Sequence, residues 1–263
     1  MSINFTKPET FVIDSHAHML SQYYKDIGSV VQAAADVKVK AMVIPAVNLA
    51  TCQEAIDVAN LSTNLFAAIG HHPHEANEYD ARSEDRLYEL AKSPKVVAIG
   101  ETGLDFYYNL STKDEQIRAF TSQLGIAKEL NKPVIVHCRD AFDEIFDIIT
   151  KVGHKLGVFH CFTGEPSMLE KIDELGFYIS FSGIVTFPKS SQIQETARLM
   201  KIDKLLVETD CPYLTPVPYR GKPNEPKYIL HTLAKIASLR NLSVDEMAEI
   251  TSSNTIRLFS LPL

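Results

Sequence analysis

Eight short apolar runs recur along this chain, and most of them finish on a histidine or an acid. They occupy residues 11–18, 40–47, 65–72, 95–101, 132–138, 156–161, 177–183 and 204–210. Short runs of this kind, rich in Val, Ile, Leu and Phe and bounded by turn residues, read as buried strands. Stretches with helical periodicity lie between most of them, at 28–37, 52–60, 114–130, 141–152, 166–175 and 190–200. Pro166 and the Ser190–Ser191 pair mark helix starts. Strands that are apolar on both faces and alternate with helices predict a parallel sheet covered by helices. Eight such units close into a (β/α)8 TIM barrel. An open doubly wound sheet competes with this, but it ordinarily carries a glycine-rich loop after its first strand, and residues 19–27 contain none. Two more helical segments, 224–240 and 243–259, are expected as extra C-terminal helices outside the barrel.

The length of 263 residues suits one such barrel, and no low-complexity tract marks a linker, so a single domain over 1–263 is expected. A net charge of −7 argues against a protein coated in positive charge for duplex DNA, while leaving room for a local basic groove. The four cysteines, Cys52, Cys138, Cys161 and Cys211, form no CxxC pair and read as reduced thiols. Cys138 and Cys161 each follow a strand-end histidine by one residue, so they are expected in the layer between barrel and helices. MSINFTKPETF lacks a basic region followed by an apolar run, and no stretch approaches a membrane span. A cytoplasmic protein without membrane contact is expected.

Seven of the nine histidines fall at the C-terminal ends of the expected strands. In a parallel barrel those ends share one face, where active sites are built. His16 and His18 in DSHAHM are spaced i, i+2, which places both imidazoles on one face if the segment is a strand. His137 and His160 are single, and a lone histidine after an apolar run is ordinarily a hydrogen-bonded rim residue. Their weight comes from ending adjacent strands on the same face as the HxH pair. Glu101 ends the fourth run, and a buried carboxylate requires a cation or several donors. Asp210 ends the eighth run, which neighbours the first when a barrel closes. Four histidines and two acids exceed the needs of one tetrahedral site. Two divalent ions fit better, with His16, His18 and Asp210 on one, His137 and His160 on the other, and Glu101 bridging. Ligand softness favours zinc, manganese or iron in such a set. Asp105 is open between a partner to a metal ligand and a helix N-cap, the structural role being expected.

The motifs DSHAH (14–18), GHHPH (70–74), GETGLD (100–105), VHCRDA (136–141), HCFTG (160–164), ETDCPYLTP (208–216) and YRGKPNEP (219–226) together resemble the TatD family of metal-dependent deoxyribonucleases, within the amidohydrolase-like barrels. Glu101 stands where many of those barrels use a carbamylated lysine, which matches the TatD pattern. Cys211 and His71 depart from it, where alanine and an aliphatic residue are usual. The resemblance implies a 3′→5′ exonuclease acting on DNA, sometimes RNA, with divalent metal, magnesium included.

The expected chemistry is hydrolysis of a phosphodiester in single-stranded DNA or RNA by a two-metal-activated water, with Asp210 and Glu101 catalytic and Mg2+, Mn2+ or Zn2+ as cofactor. His72 is a candidate contact to the scissile phosphate; the alternative is a turn histidine before Pro73. Tyr219, Arg220 and Lys222 form a candidate substrate-binding loop, with Tyr219 as a stacking face. Arg139 is open between substrate contact and an ion pair with Glu101 or Glu208, the ion pair being expected. A monomer is expected. The competing function is a metal-dependent amidase, lactonase or deacylase, because the same ions polarise a carbonyl. A basic loop directed at the metals discriminates in favour of phosphate.

Overall fold

The computed structural model describes residues 3–263. Strands and helices alternate as β1 (Val12–Asp14), α1 (Ile27–Asp36), β2 (Val39–Pro45), α2 (Leu49–Ala59), β3 (Leu65–Ile69), α3 (Ala81–Leu90), β4 (Val96–Asp105) and α4 (Lys113–Glu129). The order continues with β5 (Val134–Arg139), α5 (Phe142–Val152), β6 (Gly157–Phe159), α6 (Leu169–Glu174), β7 (Tyr178–Phe181), α7 (Ser191–Leu199) and β8 (Leu205–Val207), then α8 (Ile229–Arg240) and α9 (Val244–Phe259). The strands form one eight-stranded sheet in the order β1 to β8. Neighbours such as β1 and β2, β4 and β5, and β7 and β8 are parallel. The sheet also closes. The Ser15 N–H donates to the Val207 carbonyl, the Asp210 N–H to His16, and the His18 N–H to Cys211. This is the (β/α)8 barrel expected from the alternation, with α8 and α9 as its C-terminal additions.

The chain divides into two compact units. One holds the chain up to Val43 with Cys161–Glu170 and Tyr178–Leu263; the other holds Ile44–His160 with Lys171–Phe177. Each has its own apolar interior. In the first, Ile13, Phe181, Leu206 and Val207 are fully buried. In the second, Phe159 packs edge-on to Phe146 and tilted against Phe177, with ring centroids 5.8 and 5.5 Å apart.

Local sequence accounts for most element ends. Asn48–Thr51, Thr112–Glu115 and Ser243–Glu246 close reciprocal capping boxes at the starts of α2, α4 and α9. Helix α3 was not expected from periodicity. It is mostly polar and starts on Asp80, whose side chain accepts the Ser83 N–H. The stretch after Pro166 begins as a 3-10 turn before α6. Most strands are shorter than the apolar runs, but β4 is longer. It runs past Glu101 to Asp105, with its register against β5 shifting between Ile99 and Thr102. Gly100 and Gly103, at φ 142° and 143°, carry the chain through backbone angles that side-chain-bearing residues rarely adopt. None of the four cysteines is in a disulfide; Cys138 and Cys161 are half-buried rather than core.

Candidate metal centre

The first unit gathers His16, His18 and Asp210. Strand β1 ends at Asp14, so the HxH pair lies beyond the strand on which it was expected. The segment nevertheless stays extended between its neighbours. Ala17 donates its N–H to Val43, while His16 and His18 bond the backbone at Asp210 and Cys211. That alternation keeps both rings on one side. Their Nε2 atoms lie 3.2 Å apart. Asp210 Oδ1 is 3.6 Å from His16 Nε2 and 3.5 Å from His18 Nε2. Asp210 reaches them from a left-handed backbone conformation, φ 54°.

Asp14, first in DSHAH, carries no signal in the sequence pattern that marks it for the site. It is fully buried, and its Oδ1 accepts the N–H groups of His16 and Thr209 while Oδ2 accepts the Thr209 hydroxyl at 2.6 Å. It therefore ties the backbone before His16 to the backbone before Asp210. Burial pushes its carboxyl up to about 7, with the Thr209 and His16 donors pulling the other way. Glu208 is also fully buried, and it accepts the Cys161 N–H at 2.6 Å, fixing the backbone that follows His160.

The second unit gathers three imidazoles on one carboxylate oxygen. Glu101 Oε1 lies 2.9 Å from His137 Nδ1, 2.9 Å from His160 Nε2 and 3.3 Å from His72 Nε2. His72, Glu101 and His137 form a group compact enough to hold an ion. Burial pushes His72 down to about 4 against the pull of Glu101, so its ring is neutral near pH 7. Its Nδ1 accepts the His74 N–H at 3.2 Å, which leaves the proton on Nε2, toward Glu101.

Asp105 completes this cluster. Its Oδ2 is 3.1 Å from His137 Nε2 and 2.9 Å from His74 Nε2, and its Oδ1 accepts the N–H groups of Tyr107 and Tyr108. Burial works against charge on Asp105, but the bonds from His137, Tyr108 and His74 hold its carboxyl far below the usual range. A histidine that donates Nε2–H to Asp105 presents Nδ1 to Glu101. That nitrogen and the Glu101 oxygen are both electron-rich, so their 2.9 Å approach requires a positive charge between them. Burial lowers His137, yet its bonds to Asp105 and Glu101 outweigh this and raise it above its ordinary value. Where these acids favour a proton they equally favour a cation. Neutral imidazoles and ionised carboxylates fit a divalent ion in both clusters.

Other expectations are corrected. Arg139 meets aromatic rings rather than the acid expected for it. It is exposed, and its guanidinium lies 4.1 Å from the Tyr107 ring centre and 4.7 Å from that of Tyr108. Tyr219 is not an open stacking face, because Tyr228 already stacks on it at 4.5 Å and His231 meets it edge-on. Arg220 and Lys222 are exposed and line a cavity of about 510 Å³ with Phe187, Pro212, Leu214 and Thr215. Buried Asn224 pins this loop by donating to the Thr209 and Tyr213 carbonyls, on either side of Asp210. His71 turns away to pack edge-on against Tyr79, and burial pushes it down to about 4.

The family described as TatD related DNase matches residues 13–260. The 3'-5' ssDNA/RNA exonuclease TatD of Escherichia coli (strain K12) is 39% identical over 248 residues, covering 92% of this chain and 95% of its own. The uncharacterized metal-dependent hydrolase YabD of Bacillus subtilis (strain 168) is 38% identical over 253 residues, covering 95% and 99%. The crystal structure of YJJV, a TatD homologue from Escherichia coli K12, superposes with a TM-score of 0.89 at 29% identity, covering 95% of this chain and 98% of that one. The strand order, the acid and imidazole clusters and these similarities agree: the chain belongs to the TatD-related DNase family.

Proposed function

We propose that this protein is a metal-dependent hydrolase that removes nucleotides from the 3′ end of single-stranded DNA or RNA. The observation that carries the metal requirement is the convergence of His137 Nδ1 and His160 Nε2, each 2.9 Å from one buried Glu101 oxygen. His16, His18 and Asp210 are the proposed ligands of one divalent ion, and Glu101, His137 and His160 those of a second. Bound ions would neutralise phosphoryl oxygens and make water a stronger nucleophile near neutral pH.

The remaining roles belong to the chain. Asp210, at the end of the last strand, is the proposed acceptor of the proton that leaves the attacking water. His72, with Nε2–H directed into the Glu101 cluster, is the proposed donor to the scissile phosphate. Arg220 and Lys222 supply the cationic contact to a neighbouring phosphate. Asn224 supports this reading, because it holds their loop to the same backbone that carries Asp210. A carbonyl substrate would leave that basic loop without a task. The relative named as a 3'-5' ssDNA/RNA exonuclease supports the choice of polymer and direction.

The test is hydrolysis of a 5′-labelled single-stranded oligonucleotide with Mg2+ or Mn2+, beside Asp210→Asn. A ladder that shortens from the 3′ end, slowed at least about a hundredfold in the variant, is expected. Equal cleavage by both proteins would remove Asp210 from the chemistry. No cleavage by a metal-loaded protein would move the assignment to a carbonyl substrate.

A further inference from the structure

Three of the most exposed large apolar side chains fall within four residues. Tyr107 is 58% exposed, Tyr108 53% and Leu110 65%. They occupy the turn between β4 and α4, where polar residues would ordinarily stand. A cluster of this kind on an otherwise well-covered chain marks a binding surface. The two tyrosines meet edge to face, centroids 4.9 Å apart at 88°, and the Arg139 guanidinium lies over both rings.

This surface is tied by hydrogen bonds to the cluster around Glu101 and His137. Asp105 Oδ1 holds the N–H groups of both tyrosines at 3.1 and 2.9 Å, and its Oδ2 holds His74 and His137. Tyr108 also stands edge-on to His74 at 5.5 Å and 87°. The Phe106 N–H bonds the Arg139 carbonyl at 2.9 Å, stapling the turn to the end of β5. Asp105 thus fixes both tyrosines relative to His137, and the Phe106–Arg139 bond and the ring contacts add the stacked cation.

We infer that Tyr107, Tyr108 and Arg139 form a platform on which a base of the single strand stacks, with Arg139 meeting an adjacent phosphate. The inference rests on the nuclease reading and goes beyond it, since it names where the polymer is held. Planar π faces beside a guanidinium are the chemistry that recognises a base and its phosphate together, and they tolerate any base sequence. In a chain of net charge −7, a cation held over two exposed rings favours an anionic aromatic ligand over an acidic peptide or a lipid.

The experiment is fluorescence anisotropy of a labelled single-stranded oligonucleotide with Mn2+, using intact and abasic 3′-terminal nucleotides. The wild type should bind the intact strand about 5- to 100-fold more tightly than the abasic one. Tyr107→Ala/Tyr108→Ala should bind the two strands alike. Tyr107→Phe/Tyr108→Phe, which keeps the rings and the fold, should retain the preference. Arg139→Gln should weaken both strands and reduce the salt dependence of binding. If the wild type cleaves but discriminates no better than the alanine pair, the platform is wrong and the nuclease reading stands. If the wild type neither binds nor cleaves the oligonucleotide, the nuclease reading falls and the platform with it. If light scattering finds a dimer that only the alanine pair abolishes, and strand binding is unchanged, the surface is an interface between copies and the inference is overturned.

Discussion

Asp105 uses its two oxygens on two tasks, which the spelling of GETGLD offers only as alternatives. The motif shows an acid four residues after Glu101. Only the continuation of β4 through Gly103 brings that acid to His74 and His137. Gly103 is the residue on which this depends. Its φ is 143°, and a Cβ there would overlap the His137 carbonyl. Gly103→Ala is therefore expected to cost about 3 kcal/mol or more, combining backbone strain with a clash that backbone atoms cannot relieve. Gly221 is the control, with φ 86° and nothing within 4 Å of an added Cβ. Gly221→Ala should cost only about 1–2 kcal/mol, the left-handed penalty alone. Denaturant unfolding of the two variants measures the difference, and equal costs would show that the approach of Gly103 to His137 is not tight. The metal-ligand candidates were legible because chemistry limits which side chains can end a buried strand. Arg139 and Tyr219 were not, because a long or aromatic side chain chooses among partners that only the fold supplies.

At the scale of elements, helical periodicity and apolar runs announced most helices and strands, since both signals are local. Helix α3 escaped because a polar helix has little apolar periodicity to read. The tie between the N-terminal segment and α9 also escaped, since it joins residues more than 230 positions apart. Asp245, in the first turn of α9, accepts the N–H groups of Thr6 and Lys7 and the hydroxyls of Thr6 and Thr10. Burial raises its carboxyl, but these donors outweigh it and hold the group below its ordinary value. A carboxyl depressed on folding stabilises above its unfolded pKa of about 3.9 and loses that contribution as pH falls through the folded value. Asp245→Asn should accordingly lower stability by about 1–2 kcal/mol at pH 6, a range discounted for partial exposure of the segment. The gap from wild type should close below about pH 4. Thermal melts of both proteins between pH 6 and 3 test this, and a gap that stays constant with pH would remove the carboxylate from the account.

At the scale of the whole molecule, the proposed ions link function to stability. A ligand that binds only the folded chain stabilises it by RT ln(1 + [L]/Kd), about 2.7 kcal/mol at a hundredfold excess over Kd. For a chain of this size that corresponds to a rise in Tm of roughly 5–10 °C. Calorimetry with Mn2+ against the chelated protein should show it. His16→Asn and His137→Asn should each shrink the rise, with metal analysis giving the ion lost in each case. A Tm indifferent to metal would count against the proposed centres, whatever the activity.

The sequence by itself determined the eightfold strand–helix order, the family, and the residue types at the strand ends. Each follows from local periodicity or from the few side chains able to bind a cation. Tertiary structure alone decided which nitrogen of His137 faces Glu101, which oxygens Asp14 and Asp105 lend to which backbone, and that Arg139 covers tyrosines rather than an acid. Those outcomes depend on angles and distances between segments remote in the chain, and a linear pattern carries no record of them.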